Sequence, residues 1–358
     1  MDKILLTTGG TGGHIFPALA VAEELRRRNP EAKLLFVGSQ YGPESRLCAR
    51  AGIDFVGLPV RGFLGRGFRA FGAAARMGVA VGNALGLVRS FRPDAVAGFG
   101  GYAAFAPMLA ARLSGVPSVL HEQNAVAGTS NRVLSRLARK VCISLPGTRG
   151  FPAKKCVLTG NPVRAAIAGA ARQREGSAGR GTRRLLVLGG SQGAHSLNAL
   201  MPGLLPQLRA CGMEIRHQCG EKDLEATRAA YAAAGYAPDC VSAFIDDMAE
   251  AYAWADLALC RAGASTVAEL CAAALPSVLV PFPAAIHDHQ TRNAEVVTKA
   301  GAARLVQERD FGRTDMGALL GGLLRDADGL AAMGRAAESL ARPDAAAAVA
   351  DALEAVAR

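Results

Sequence analysis

Leu5–Leu25, LLTTGGTGGHIFPALAVAEEL, and Arg183–Leu208, RRLLVLGGSQGAHSLNALMPGLLPQL, follow one pattern: an apolar run, a glycine cluster, then helix-forming residues. A chain that begins this pattern twice, well apart, folds as two α/β halves rather than one. The reason is local. Glycines at the carboxyl end of a strand let backbone N–H groups approach a ligand, and the following helix presents unpaired amides and a positive dipole end to an anion. The plain alternative is a tight βα turn that packs on itself. A third glycine cluster, Gly98–Tyr102 (GFGGY), joins Gly9–His14 and Gly189–Ala194, so strand ends in both halves are built for close backbone approach.

Between these landmarks, apolar runs alternate with helical stretches. KILLTTGG, AKLLFVGS, PDAVAGFG, VPSVLHEQN and KVCISLP read as strands in the first half, and EIRHQCG, CVSAFI, ADLALCRAG, PSVLVPFP and AARLVQ in the second. Strands that alternate with helices predict parallel, doubly wound sheets. At 358 residues the chain is long enough for two domains of ~100–200 residues each. We place them at 1–163 and 164–340, joined through the Ala-, Gly- and Arg-rich stretch AAIAGAARQREGSAGRGTRR that follows Arg164. The Ala-rich stretch Ala331–Arg358 reads as helix, with 341–358 packing back on the first domain.

The 41 Lys and Arg outnumber the 30 Asp and Glu, leaving a net charge of +11 and a surface that attracts anions. No helix-turn-helix, zinc-finger or aromatic RNA-binding pattern accompanies that charge, so a nucleic-acid partner is not expected. The eight cysteines have no C-x-x-C pair and no metal-ligand spacing, which fits a reducing compartment. Met1-Asp2-Lys3 runs straight into a short strand, so no secretory leader is expected there. The uncharged run Ala95–Ala111 is broken by glycines and Pro107 and reads as strand, loop and helix start. Neither a clean G-x-G-x-x-G fingerprint nor a Gly-Lys-Ser/Thr phosphate loop is present, which sets redox enzymes and nucleoside triphosphatases aside.

TGGTGGHIFPALAVAEEL, GFGGYAAFAP, HEQNAVAGTSNR, TGNPVR, LGGSQGAHSLN, RAGASTVAEL and HDHQTRNAEVVTKAGAA, in this order, resemble the MurG family of bacterial UDP-N-acetylglucosamine transferases. The resemblance spans nearly the whole chain, and the connection near Gly169–Thr182 departs from it. It implies a GT-B fold, two doubly wound Rossmann-like domains facing a central cleft. It also implies inverting transfer of GlcNAc from UDP-GlcNAc to the C4 hydroxyl of the muramyl sugar of lipid I, giving lipid II. An epimerase acting on UDP-GlcNAc with the same fold is the competing class, and acceptor-dependent UDP release separates the two.

The resemblance also implies roles for single residues. Glu269 would accept from ribose hydroxyls, although by itself it reads as an ordinary helix-surface acid. Ala264, Ser265 and Thr266 would line the diphosphate and sugar, with Ser191 donating to a phosphate and Arg164 near the nucleotide. The Ile245 backbone would meet the uracil edge, and Gln290, with Asn293 beside it, would hold sugar hydroxyls. On the acceptor side Thr11, Gly12 and Gly13 form the glycine loop, and Asn124 and Tyr102 are candidate polar groups. His14, at a helix's first turn, is biased toward neutrality by the dipole and is the expected base; Glu122 is the alternative, which geometry must decide.

His287-Asp288-His289 offers three close donors without a fourth, and no D-x-D pair ends a strand, so neither metal nor cofactor is expected. The expected partners are UDP-GlcNAc, lipid I, an anionic membrane surface and other cell-wall synthesis proteins. Arg61–Met77 mixes Phe63, Leu64, Phe68, Phe71 and Met77 with Arg61, Arg66, Arg69 and Arg76 and carries no acid. That combination predicts a peripheral site on the cytoplasmic face of the inner membrane. Gly78–Val88, by contrast, reads as an ordinary helix with a core face and a solvated face.

Overall fold

Ile4 and Leu6 point to one side of a strand and Leu5 to the other, yet all three are fully buried. Such a strand must be covered on both faces, as in a parallel sheet whose crossover helices lie above and below. The computed structural model describes residues 1–10, 12–60, 70–171, 183–190 and 193–357, with backbone alone at 70–76 and 286. Contacts divide the chain into two units, Met1–Arg164 with Arg342–Arg358, and Ala165–Ala341.

In the first unit β1 (Lys3–Thr7), β2 (Lys33–Ser39), β3 (Asp54–Leu58), β4 (Ala95–Gly98), β5 (Ser118–Glu122), β6 (Lys140–Ile143) and β7 (Cys156–Leu158) form one sheet. Its order is β3-β2-β1-β4-β5-β6-β7, and every pair is parallel. Leu5 pairs with Leu35 on one side and Val96 on the other. One face packs Ile4, Leu6 and Phe36 against helix Gly12–Arg28 and helix Ala345–Ala357, through Ile15, Val21, Val349 and Leu353. The opposite face packs Leu5, Val37, Val96 and Leu120 against helices Ala70–Phe91 and Phe105–Leu113, through Ala80, Ala84, Val88 and Met108.

The Ala-rich end is two helices rather than one. Ala327–Leu340 packs in the second unit and Ala345–Ala357 in the first. Pro343 lacks the N–H to carry a helix on, and Ala341 leaves it at an extended φ of −60° and ψ of 144°. The final helix is tied to the first unit by Arg28, whose Nη1 lies 2.7 Å from Asp351 Oδ1 and 3.1 Å from Glu354 Oε1. Arg139 adds a hydrogen bond of 3.0 Å to the Val356 carbonyl.

The second unit contains β8 (Arg183–Leu188), β9 (Met213–Gln218), β10 (Val241–Ser242), β11 (Leu257–Cys260), β12 (Ser277–Leu279) and β13 (Ala303–Leu305). They form a parallel sheet of order β10-β9-β8-β11-β12-β13. Leu185, Val187, Leu257 and Leu259 pack with Leu197, Met201 and Leu205 of helix His195–Ala210 and with Leu320 of helix Met316–Arg325.

The basic, aromatic stretch Arg61–Met77 lies largely outside the described residues. In the helix that continues from it, Ala80, Ala84 and Val88 form the buried stripe while Val79 is 58% exposed. No described helix is long and apolar enough to cross a membrane.

Candidate active site

In the first unit the chain leaves β1 through Thr8, Gly9 and Gly10. The loop after β4 closes onto it: Thr8 Oγ1 donates to the Gly100 carbonyl over 3.2 Å. Gly101, at φ +76°, lies so close that a Cβ there would collide with the Gly9 carbonyl. Only glycine tolerates both that conformation and that approach. Gly10 N donates to the buried Glu44 Oε1 over 3.2 Å, fixing the loop from beneath. Helix Gly12–Arg28 starts immediately beyond, so Gly12, Gly13 and His14 form its first turn. Thr11 lies outside the described residues.

His14 is half-buried, and its Nδ1 sits 2.9 Å from Oε1 of Gln123, a fully buried residue just past β5. Gln123 Nε2 lies 2.9 Å from the Phe99 carbonyl and 3.1 Å from His121 Nδ1. His121 in turn places Nε2 3.0 Å from the Gly160 carbonyl. Burial drives the His121 pKa down to about 4, so this ring is neutral.

Glu122 takes a different part. Its Oε1 accepts from Asn124 N (3.0 Å) and Asn124 Nδ2 (3.2 Å), and its Oε2 from Gly128 N (3.0 Å) and Asn131 Nδ2 (2.9 Å). Both oxygens of this buried carboxylate are engaged in shaping the turn between β5 and helix Thr129–Leu137. Asn124 is therefore turned onto Glu122, while Tyr102 stands half-buried in the loop after β4. Arg164 belongs to this unit, its guanidinium 4.7 Å from the centre of the Phe16 ring.

In the second unit the loop after β8 repeats the device. Gly193, at φ +76°, comes so near the Cys219 carbonyl that a side chain would collide with it. Gln218 grips this loop: its Oε1 accepts from Gly190 N and its Nε2 donates to the Gly190 and Ala243 carbonyls, all at about 3 Å. Ser191 lies outside the described residues. Ile245 follows β10, just before Asp247 caps helix Met248–Trp254 through a 2.9 Å bond from Glu250 N.

Gly263, extended at φ −64° and ψ 142°, opens helix Ala264–Ala272, whose first turn is Ala264, Ser265 and Thr266. Glu269 stands one turn further on, and the Tyr252 hydroxyl donates to its Oε2 over 2.8 Å. Gln290 begins helix His289–Lys299 with Oε1 accepting from Phe282 N at 2.9 Å. Asn293 is fully buried and donates to the Ala262 carbonyl, which ties that helix to the end of β11. His287 and Asp288 sit at φ +54° and +52° in a kink ahead of that helix. Among the described residues no three His, Cys, Asp or Glu side chains gather to hold a metal ion.

Three of these residues had no role at the level of sequence: Gln123, Gln218 and Tyr252. Gln123 lies within the quoted HEQN motif beside the residues that were singled out. Gln218 and Tyr252 are separated in sequence from what they hold, and only folding reveals them.

Two doubly wound parallel units, each with a glycine-bordered loop where its first strand meets a helix, define the GT-B fold. The first unit matches the glycosyltransferase family 28 N-terminal domain over residues 4–143, and residues 184–349 match the family 28 C-terminal domain. The chain belongs to glycosyltransferase family 28 and, within it, to the MurG family. It is 56% identical to the UDP-N-acetylglucosamine–N-acetylmuramyl-(pentapeptide) pyrophosphoryl-undecaprenol N-acetylglucosamine transferase of Nitratidesulfovibrio vulgaris, over 99% of this chain and 97% of that one. The crystal structure of Acinetobacter baumannii MurG is similar at a TM-score of 0.77 and 37% identity, covering 99% of this chain and all of that one. The UDP-GlcNAc 2-epimerase of Neisseria meningitidis, solved with UDP-GlcNAc, shares the fold alone, at a TM-score of 0.69 and 13% identity over 99% of this chain and 100% of that one.

Proposed function

We propose that this protein transfers GlcNAc from UDP-GlcNAc to the C4 hydroxyl of the muramyl sugar of lipid I, with inversion, to give lipid II for peptidoglycan. The observation that carries this reading is identity of 56% over nearly the full length to an enzyme named for that transfer. The second unit takes the donor. Ile245 meets the uracil through its backbone, Glu269 accepts from the ribose, and Gln290 holds sugar hydroxyls. The N-terminal amides of helix Ala264–Ala272, with Ser265, Thr266 and Ser191, face the diphosphate. Arg164 serves the nucleotide.

The first unit takes the acceptor at Thr11, Gly12 and Gly13, with Asn124 nearby. In the reaction His14 Nε2 removes the proton of the acceptor hydroxyl as its oxygen attacks the anomeric carbon. The bond from that carbon to UDP breaks on the opposite face, which inverts the configuration. Negative charge then grows on the departing diphosphate, where fixed helix amides stabilise it without reorganising. Glu122 is a poor base by comparison, because four neutral N–H donors already occupy its oxygens.

The lipid tail of the acceptor keeps the substrate in a bilayer, so the protein works as a peripheral protein at the cytoplasmic face of the inner membrane. Val79 and Leu113, 58% and 62% exposed on the packed helices Ala70–Phe91 and Phe105–Leu113, supply apolar contacts. The net charge of +11 favours anionic lipid. The deciding assay supplies UDP-GlcNAc with and without a lipid I analogue. UDP release that requires the acceptor supports the transferase, and acceptor-independent epimerisation of the donor sugar would replace it with the competing class.

A further inference from the structure

We propose that Gln123 is a positioning residue that fixes the tautomer of His14, so that the proton sits on Nδ1 and the lone pair on Nε2. This rests on the reading of His14 as the base, and it adds what makes that histidine competent. Free imidazole side chains favour the opposite form, with the proton on Nε2, which would leave the nitrogen assigned to the acceptor already occupied. A base of this kind needs a partner that reverses the preference.

The direction of every bond in the cluster follows from two groups that can only accept. The Phe99 carbonyl, 2.9 Å from Gln123, forces the amide nitrogen to face it. The Gly160 carbonyl, 3.0 Å from His121 Nε2, forces the His121 proton onto that nitrogen. A neutral His121 then has a bare Nδ1, which accepts the second amide proton of Gln123 over 3.1 Å. With both amide protons used, Gln123 turns its oxygen to His14 Nδ1 at 2.9 Å, and that nitrogen must donate. Reversing the amide would set its oxygen against the Phe99 carbonyl and the His121 lone pair together, two repulsive contacts in a dry site. Gln123 and His121 are each only 1% exposed, so water does not relieve the constraint.

The test reads the tautomer directly. Proton–nitrogen correlation spectra of the full-length protein with nitrogen-labelled histidine distinguish the two neutral forms, and His14→Asn identifies the His14 signals by difference. In the wild type at a pH where the ring is neutral, His14 should carry its proton on Nδ1. In Gln123→Leu it should revert to the Nε2–H form. The same variant should lose about 10- to 100-fold in kcat, the range for removing the outer partner of a functional histidine, while KM for UDP-GlcNAc stays unchanged. An Nε2–H ring in the wild type overturns the proposal, as does an Nδ1–H ring or undiminished kcat in the variant. Should Gln123→Leu fail to fold, the wild-type spectrum decides alone. Full turnover by His14→Ala would instead remove the base assignment while the tautomer is still read, so the two failures are separable.

Discussion

The Tyr252 hydroxyl donates to Glu269 Oε2 over 2.8 Å, linking helix Met248–Trp254 to helix Ala264–Ala272. A ring with 1% exposure thus holds the carboxylate proposed to bind ribose. Glu269→Ala should weaken UDP and UDP-GlcNAc alike, by about 10- to 100-fold, because hydrogen bonds to a charged group are worth ~1.5–3 kcal/mol. Tyr252→Phe keeps the carboxylate and loses only its brace, so it should cost less than Glu269→Ala for both ligands. Calorimetric titration of the two variants checks the order; equal affinity of wild type and Glu269→Ala would take ribose away from Glu269.

His14→Ala should lower kcat by at least ~100-fold, the lower end for loss of a general base, with little change in donor affinity. Steady-state kinetics with a lipid I analogue, alongside UDP-GlcNAc binding, provides the measurement. An unchanged kcat would transfer the role elsewhere.

Glu122→Gln swaps one acceptor oxygen for an NH₂ group that must face donors. Leaving buried donors unmatched costs about 1–3 kcal/mol. The variant should melt several degrees lower, at about 2–4 °C per kcal/mol, while folded protein keeps most of its kcat. Scanning calorimetry and kinetics together test this, and a loss of kcat as large as that of His14→Ala in a protein of normal melting temperature would make Glu122 the base.

Acid should weaken both units through buried histidines. Burial holds His121 in the first unit and His217 in the second at a pKa of about 4, against an unfolded value near 6.5. Between those values the unfolded chain binds more protons, so stability is whole above about pH 6.5 and falls as pH drops toward 4, by on the order of 3 kcal/mol per histidine. Glu24 acts in a lower window. Hydrogen bonds from Arg27 and Arg28 lower its pKa to about 2, so its contribution is lost only below the usual carboxylate range. Chemical denaturation at stepped pH should therefore show a decline already between pH 6.5 and 4.5; a flat profile there would contradict the assignment.

Val79→Glu with Leu113→Glu should release the protein from anionic vesicles while leaving UDP binding intact. Each apolar side chain contributes ~1.5–3 kcal/mol when buried, so losing both should cut vesicle partitioning at least about tenfold. Co-sedimentation at two salt concentrations tests it, and undiminished binding of the double variant would place the membrane contact on other residues.

The interior strands could be read from the sequence, whereas two at the margins could not. β1, β2, β4, β5 and β6 are apolar on both faces because helices cover both, β8, β11 and β12 carry the same signal, and β9, β10 and β13 were legible as shorter apolar runs. β3 and β7 end the first sheet on either side, and their burial thins to match: Asp54 of β3 is exposed, as are Val157 and Leu158 of β7. An edge strand pairs on one side only, so its residues need not form an apolar run. The glycine loops were legible because a left-handed φ and a carbonyl at contact distance admit little else. The groups that aim the site were not. Gln123, Gln218 and Tyr252 act through directed hydrogen bonds across long separations, which leave no periodic trace.

Helix Ala345–Ala357 supplies Val349, Leu353 and Val356 to the core beneath a sheet whose strands were all made before Arg164. The second unit, Ala165–Ala341, is continuous and has every residue it needs before that helix leaves the ribosome. The order of synthesis is thus the reverse of the order of completion. The half begun first must wait, with the β4 to β6 part of one sheet face uncovered, while the half begun second closes, and chaperones that shield nascent chains would find their longest-lived exposed surface on Ala97, Val119 and Cys142.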